Sequence, residues 1–346
     1  MQLIYTVVLK MAIFGEQLCV EAGFNFYMKR FLTLGLLIYT IATFAQQGPQ
    51  TSLAIFNPYL EHAAMGGMDR RLSIVGQVRS QWTGIGQGPS TQYIGANMPM
   101  YAWTGAIGAD LFTHRAGNLR INQLRASYNY VTPGFGGLLS VGGRLGFNQI
   151  SLDGSRIITP DGNYDDGAIN HNDPTLANTI VNSFGVNWEV SAAFTNNLIT
   201  AALSFSDLVS PQQSIAKGKF QFDRTVNGLV RYDYQLNEDI VLMPNLGFRT
   251  NLRVLQTDVG VMARYKARTF GGLLLRGYNT TTIDALAFTM GYHLSEKFSL
   301  YYSYETGLSA LKTVNEGTHD FMMKIRLEPL FGKNLPPKII YNPRFL

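Results

Sequence analysis

The sequence predicts an all-β fold, a transmembrane antiparallel β-barrel of about 14 strands, and three observations carry that prediction. The first is strict alternation. From Leu72 to Leu327 apolar residues recur at every second position: Leu139, Val141, Leu145 and Phe147 oppose Ser140, Arg144 and Asn148. Leu286, Phe288, Met290, Tyr292 and Leu294 oppose Thr289 and His293, and Phe321, Met323, Ile325 and Leu327 oppose Asp320, Lys324 and Arg326. A period of two gives each strand two distinct faces. The polar set is too small to build a second core, so one face meets lipid and the other water.

The second observation is the rotation of loop lengths. Strands are expected over 72–81, 91–99, 104–113, 118–130, 138–150, 181–195, 198–207, 222–236, 239–249, 255–265, 270–277, 282–294, 298–305 and 318–327. The even-numbered connections include the tight turns Asn196-Asn197, Asn237-Glu238 and Ser295-Glu296-Lys297. The odd-numbered ones include the long stretches 82–90, 151–180, 208–221 and 306–317. Outer-membrane barrels pair short periplasmic turns with longer outside loops, and an even strand count returns both ends to the periplasm.

The third is an export leader. Met28-Lys29-Arg30 is a basic start, 31–44 is apolar, and Thr43-Phe44-Ala45 offers a small-residue cleavage site before Gln46. The apolar run is shorter than the roughly 20 residues of a spanning helix. Residues 28–45 are therefore expected to be a signal peptide, and 1–27 a start-site overcall, with a second uncleaved anchor as the alternative. Cys19 falls in that stretch, so no disulfide or thiol nucleophile is expected after processing.

The remaining segments follow in order. Residues 46–71 are too long for a bare stub. Asn57-Pro58 starts a turn, 59–65 reads as a short helix, and the apolar residues need cover. That segment is expected to plug or cap the barrel 72–327. The tail 328–346 carries Lys333, Lys338 and Arg344 with Pro336-Pro337. It reads either as a semi-rigid basic strand for an acidic periplasmic partner or as simple disorder. Tyr128, Tyr130, Tyr301, Tyr302 and Tyr304 lie near strand ends, as interfacial girdles require.

Composition narrows the function. Net charge is +5, and the basic residues alternate along strands instead of clustering, so nucleic acid is excluded as a partner. Charged residues make up only 15%, against about 25% in soluble chains.

Several blocks resemble a known family. Phe56-Asn57-Pro58, followed by Ala64 and Gly66-Gly67, is similar to an Asn-Pro-Ala…Ala-Gly opening, with Tyr59 in place of the usual Ala. Arg79-Ser80-Gln81-Trp82-Thr83-Gly84-Ile85, then Gly88-Pro89-Ser90-Thr91-Gln92, matches an Arg-x-Gln-Trp-x-Gly…Pro-x-Thr block. Gly317-Thr318-His319-Asp320 and Asn342-Pro343-Arg344-Phe345 add further matches, and Ala126-Ser127-Tyr128 and Asn172-Asp173-Pro174 add two that are weak alone. Together they resemble the PorP/SprF family of type IX secretion-system outer-membrane proteins of Bacteroidetes. The resemblance covers nearly all of the chain after the leader.

Each block also has its own physical reading. Gly84, Gly86, Gly88 and Pro89 make a rigid turn. By parity Arg79, Gln81 and Gln92 share the polar face, where a cation and two amides can satisfy one another, and Trp82 closes the strand. The cluster is expected to pin the first hairpin and the interior.

No catalytic constellation emerges. His62, His114, His171, His293 and His319 lack metal spacing, and no Gly-x-Ser-x-Gly elbow is present. His319 and Asp320 are adjacent on a strand and point to opposite faces, so they cannot pair. Asp161, Asn163 and Asp165 copy the odd positions of a calcium loop. Asp166 replaces its Gly, however, and Asn172 its Glu. A hydrophilic outer loop is expected there, with no metal and no cofactor.

The family resemblance implies a non-catalytic barrel that supports export or surface attachment of specific cargo carrying a C-terminal sorting domain. Its implied partners are the type IX secretion components in the periplasm and the lipid of the outer membrane. Asp161, Asp165 and Asp173 in the outer loop, and Lys338, Arg344 and Phe345 in the tail, are the expected partner-binding residues. The alternative is a passive channel for small solutes or hydrophobic compounds, with Arg79, Arg125, Arg144, Arg231, Arg264 and Arg326 along an anion path.

Overall fold

The computed structural model describes residues 50–100, 103–164, 169–173, 176–215, 218–278, 282–308 and 310–328. The expected leader, most of the tail, and Asp165, Lys338, Arg344 and Phe345 lie outside the described residues.

The strands are β1 (Leu72–Ser80), β2 (Ser90–Met100), β3 (Gly105–Ala116), β4 (Leu119–Gly134), β5 (Gly137–Asp153) and β6 (Ile180–Thr195). They continue with β7 (Ile199–Ser206), β8 (Gln213–Ile215), β9 (Gly218–Phe220), β10 (Thr225–Tyr232), β11 (Tyr234–Gln235) and β12 (Ile240–Thr250). The last are β13 (Leu255–Tyr265), β14 (Thr269–Tyr278), β15 (Thr282–His293), β16 (Phe298–Gly307) and β17 (Thr318–Leu327). β8 and β9 form a small separate hairpin, and β10 with β11 is one interrupted stave, which leaves fourteen staves in the wall. Each stave pairs antiparallel with its chain neighbours. β1 pairs with β17 from Leu72↔Leu327 to Ser80↔His319, and β10 pairs with β12 from Val226↔Thr250 to Arg231↔Asn245. The ring is closed, so no strand edge is left with unpaired backbone groups in lipid.

Alternation decides which face is greasy. Val141 is 64% exposed, Phe147 57% and Met290 59%, while Ser140, Arg144 and Asn148 are buried inside. Val78, Ile94, Leu111, Leu124, Leu246 and Phe321 carry the same outward pattern around the wall. Leaving one such side chain in water forgoes about 1.5–3 kcal/mol. A belt of a dozen would outweigh the ~5–15 kcal/mol net stability of a soluble domain. The belt therefore faces lipid.

The four connections of more than four residues, 81–89, 154–179, 207–224 and 308–317, all lie at one end. The other end has only the short turns 101–104, 135–136, 196–198, 236–239, 266–268 and 294–297. Three connections at the long-loop end, 117–118, 251–254 and 279–281, are also short.

Several expectations are corrected. The single strand expected over 222–236 is broken at Asp233, whose carboxylate accepts from Arg231 Nε at 2.7 Å. The helix expected over 59–65 is instead two 3₁₀ turns, Pro58–Leu60 and Ala63–Met65, separated by an extended His62. Wall side chains take the backbone groups that a helix would have paired internally. Tyr301 is no girdle residue: it is only 5% exposed and faces inward, because Tyr302 and Tyr304 hold the opposite parity. The β4–β5 hairpin runs on to the two-residue turn Phe135-Gly136, with φ of 52° and 71°, the positive angles that tight hairpins need.

Candidate functional site: the filled bore and the barrel seam

Residues 51–67 run through the inside of the wall, and their fastening is the dominant interior feature. The backbone amides of Ala63 and Ala64 donate to Glu189 Oε1 and Ser191 Oγ of β6, both at 2.8 Å. Asn129 Nδ2 of β4 donates to the carbonyls of Ala64 at 3.2 Å and Gly66 at 3.0 Å. Arg144 of β5 donates to the carbonyls of Leu60 and Tyr59, and its guanidinium sits 4.7 Å from the Tyr59 ring. Tyr59 Oη meets Ser127 Oγ at 2.7 Å, and Glu61 pairs with Arg249 of β12. Apolar packing adds to this. Phe56 stacks on Tyr301 at 4.3 Å and meets Phe270 edge-on at 5.5 Å, over Val241, Met243, Met262 and Met322.

Around the interior segment, charge in the bore is paired. Arg144 reaches Glu189 at 3.0 Å and Arg125 reaches Asp110 at 2.5 Å. Nearer the long loops, Arg79 bridges Glu305 at 3.1 Å and Asp320 at 3.5 Å, while Arg276 bridges Glu305 at 2.6 Å and Asp258 at 2.9 Å. Thr51 Oγ1 and the Ser52 amide donate to Asp320 Oδ2 at 2.6 and 3.1 Å, and Gln77 donates to Asp320 Oδ1 at 2.8 Å. Removing one partner of such a buried set leaves an uncompensated charge. Two small hollows lie beside the segment, about 60 Å³ next to Ile55 and His62 and about 20 Å³ next to Gln77 and Tyr93.

The two motif blocks meet where the cylinder closes. Arg79 and Asp320 are direct cross-strand partners, as are Ser80 and His319. Beyond the strands, the Thr83 amide donates to the Gly317 carbonyl at 2.8 Å, and the Glu316 amide donates back to the Thr83 carbonyl at 2.7 Å. The Trp82 amide donates to Thr318 Oγ1 at 3.2 Å. Trp82, Gly84 and Gly317 have φ of 52°, 90° and 100°, so the first and last loops turn sharply to reach one another. Gln81 closes its own hairpin by donating its amide to the Pro89 carbonyl at 2.8 Å. Thr91 lies inward opposite Arg79 and meets His114 Nδ1 at 2.9 Å. Gln92, expected inside, points outward beside Val78. The turn 81–89 sets a register in which Thr91 opposes Arg79, and parity cannot be counted across a turn.

Other expected residues are dispersed. His319 faces outward and its Nδ1 meets Tyr302 Oη at 2.7 Å, on the far face from Asp320. Asn57 and Pro58 are inside the interior segment, where the Asn57 carbonyl accepts from Leu60 at 3.1 Å. In the long loop, the Asp161 carbonyl accepts from Asn172 Nδ2 at 2.6 Å and the Asp173 carbonyl from the Leu176 amide at 3.2 Å. Neither carboxylate is gathered with others into a metal-holding group among the described residues. Sequence reasoning missed Glu305, Arg276, Asp258, Glu189 and Asp110. Their inward parity was the available signal; Asp110, Asp258 and Glu189 pair across neighbouring strands, while Glu305 meets Arg79 from the other end of the chain.

A closed barrel with an apolar outer belt, a polar bore and its long loops at one end is an integral membrane barrel of the outer-membrane class. Residues 43–325 match the type IX secretion system membrane protein PorP/SprF, and the chain belongs to that family. A search of curated protein sequences found no match. Among solved structures, a Pseudomonas aeruginosa FadL homologue is 10% identical with a TM-score of 0.49, covering 81% of this chain and 95% of its own. The CymD monoaromatic hydrocarbon channel gives 11% and 0.47, over 82% and 94%. The Acinetobacter baumannii outer membrane protein Omp33 gives 6% and 0.45, over 75% and 99%.

Proposed function

We propose that the protein is a non-catalytic outer-membrane component of the type IX secretion system that supports export or surface attachment of specific cargo. The long loops 154–179, 207–224 and 308–317 form the cargo-facing end, and the short-turn end contacts periplasmic machinery. One observation carries this reading: the chain's own segment 51–67 occupies the bore, fastened to both sides of the wall, while the long loops are gathered at a single end. A rigid scaffold with variable loops is a recognition platform. A bore tied across by ion pairs is poorly suited to solute passage.

The test is recovery of a tagged chain from native outer membranes, beside a variant with 157–178 replaced by a short Gly/Ser linker. Secretion components and a sorting-domain cargo are expected with the parent, and the cargo alone is expected to be lost from the loop variant. Recovery with no secretion component, together with steady conductance in planar bilayers, would instead establish the passive channel.

A further inference from the structure

At the short-turn end the charge pairing that governs the rest of the bore breaks down. A hollow of about 480 Å³ is lined there by Arg71, Arg264, Lys266, Arg268 and Arg326, with His293 beside them, against the carboxylates Asp69 and Glu296. Asp69 is already engaged by Ser73 Oγ and by Lys324 Nζ at 3.7 Å. Deeper in the wall, Arg79, Arg125, Arg144, Arg249 and Arg276 each meet a carboxylate, and across the short-turn end Arg231 meets Asp233 beside the 196–198 turn. The guanidinium groups of Arg71, Arg264, Arg268 and Arg326 have no carboxylate within 4.0 Å among the described residues, although the Arg71 backbone amide donates to Asp69 Oδ1 at 3.5 Å. Arg326 Nε is buried and has no acceptor there. Lys266, in the exposed turn, is held protonated by a hydrogen bond with Tyr265 and then by Asp239, 3.9 Å away.

Guanidinium groups gathered in one hollow repel each other, and a buried N–H without an acceptor costs free energy. A bore that pairs its deeper arginines has kept a planar donor set open here, and carboxylates are the natural complement of such forks. Arg264, His293 and Arg326 lie on inward strand parity, and Lys266 and Arg268 stand on the rim turn. The hollow therefore opens along the barrel axis and not toward lipid, so a bilayer headgroup could reach it only by leaving its leaflet. Its volume falls within the range of about 300–1,000 Å³ typical of ligand sites.

We propose that this cup binds the carboxylate side chains of an acidic peptide segment of a periplasmic protein. The proposal rests on the reading that the short-turn end faces the periplasm, and names the chemistry by which that end is recognised.

The experiment uses the full chain purified in nanodiscs and a fluorescein-labelled hexaglutamate, read by fluorescence anisotropy. Saturable binding that weakens with added salt is expected, with none for hexaglutamine. R264Q/R326Q is expected to weaken binding at least tenfold, and K266Q/R268Q, which touches only the turn, at least threefold. Heat-modifiable mobility in detergent gels confirms that each variant is folded. The turn variant keeps the test decisive should the strand variant fail to assemble. Unchanged affinity in the turn variant, or no hexaglutamate binding by the parent, overturns the proposal. So does displacement by inorganic phosphate at or below the peptide's own concentration, or arginine-dependent capture of phosphatidylglycerol vesicles. Loss of secretion components in the recovery experiment with hexaglutamate binding intact would sink the secretion reading and leave the cup standing.

Discussion

Asp320 and His319 are neighbours in sequence with opposite fates, and the contrast shows how little adjacency means on a strand. Asp320 is fully buried and accepts from Thr51, Ser52, Gln77 and Arg79, tying the interior segment to the seam. The His319 ring looks outward and makes one side-chain hydrogen bond among the described residues, with Tyr302. Asp320→Asn keeps the shape, removes the charge and leaves Arg79 leaning on Glu305 alone. It is expected to lower stability by about 3–5 kcal/mol, read as a shift in the urea midpoint of the folded barrel. His319→Gln is expected to cost about 0.5–1.5 kcal/mol. Equal losses from the two would show that the seam is not held by the buried carboxylate. The pairing of Arg79 with Asp320 was not readable from spacing. Both residues were recognisable as inward and motif-bearing, but their union follows from closure of the ring.

Among the elements, the interior segment and the hairpins depend on glycine for different reasons. Gly67 has φ of 64°, and a Cβ there would sit 2.5 Å from Ala106 Cβ and 2.8 Å from the Pro99 nitrogen. Gly136 has φ of 71°, and a Cβ there would meet open space. Gly136→Ala therefore carries backbone strain alone, about 1–2 kcal/mol. Gly67→Ala adds steric displacement where the segment turns back toward β1. It is expected to make 51–67 sensitive to proteinase K at concentrations that leave the parent and Gly136→Ala intact. Equal protection of all three would mean that the close approach at Gly67 does not seat the segment. Strand existence was legible here because alternation survives an error of two residues at a boundary. Register was not: Gln92 and Thr91 exchange faces according to how the turn 81–89 closes. The helix suggested by 59–65 failed because the wall satisfies its backbone groups from outside.

Taken as a whole molecule, a wall of fourteen staves encloses a segment of its own chain. That arrangement makes a firm electrical prediction. The parent protein is expected to be silent in planar bilayers, and removal of 50–68 to open steady conductance through the same wall. Steady conductance in the parent would show that the interior segment leaves a continuous path. Two ends of different character follow from the same topology. One carries the long loops; the other carries a cluster of arginines whose guanidinium groups have no carboxylate within 4.0 Å among the described residues.

From residue order alone came the class of protein. Alternation at Leu139–Asn148, Leu286–Leu294 and Asp320–Leu327 and the placement of long loops needed no coordinates, because a period of two and an even strand count are properties of the chain itself. Which inward charges meet, that Tyr301 packs inside, and that Arg79 shares the Glu305 carboxylate with Arg276 were decided only when the ring closed. Arg79 meets Glu305 and Asp320 across more than two hundred positions, and the geometry of every such pair depends on register, which no local pattern encodes.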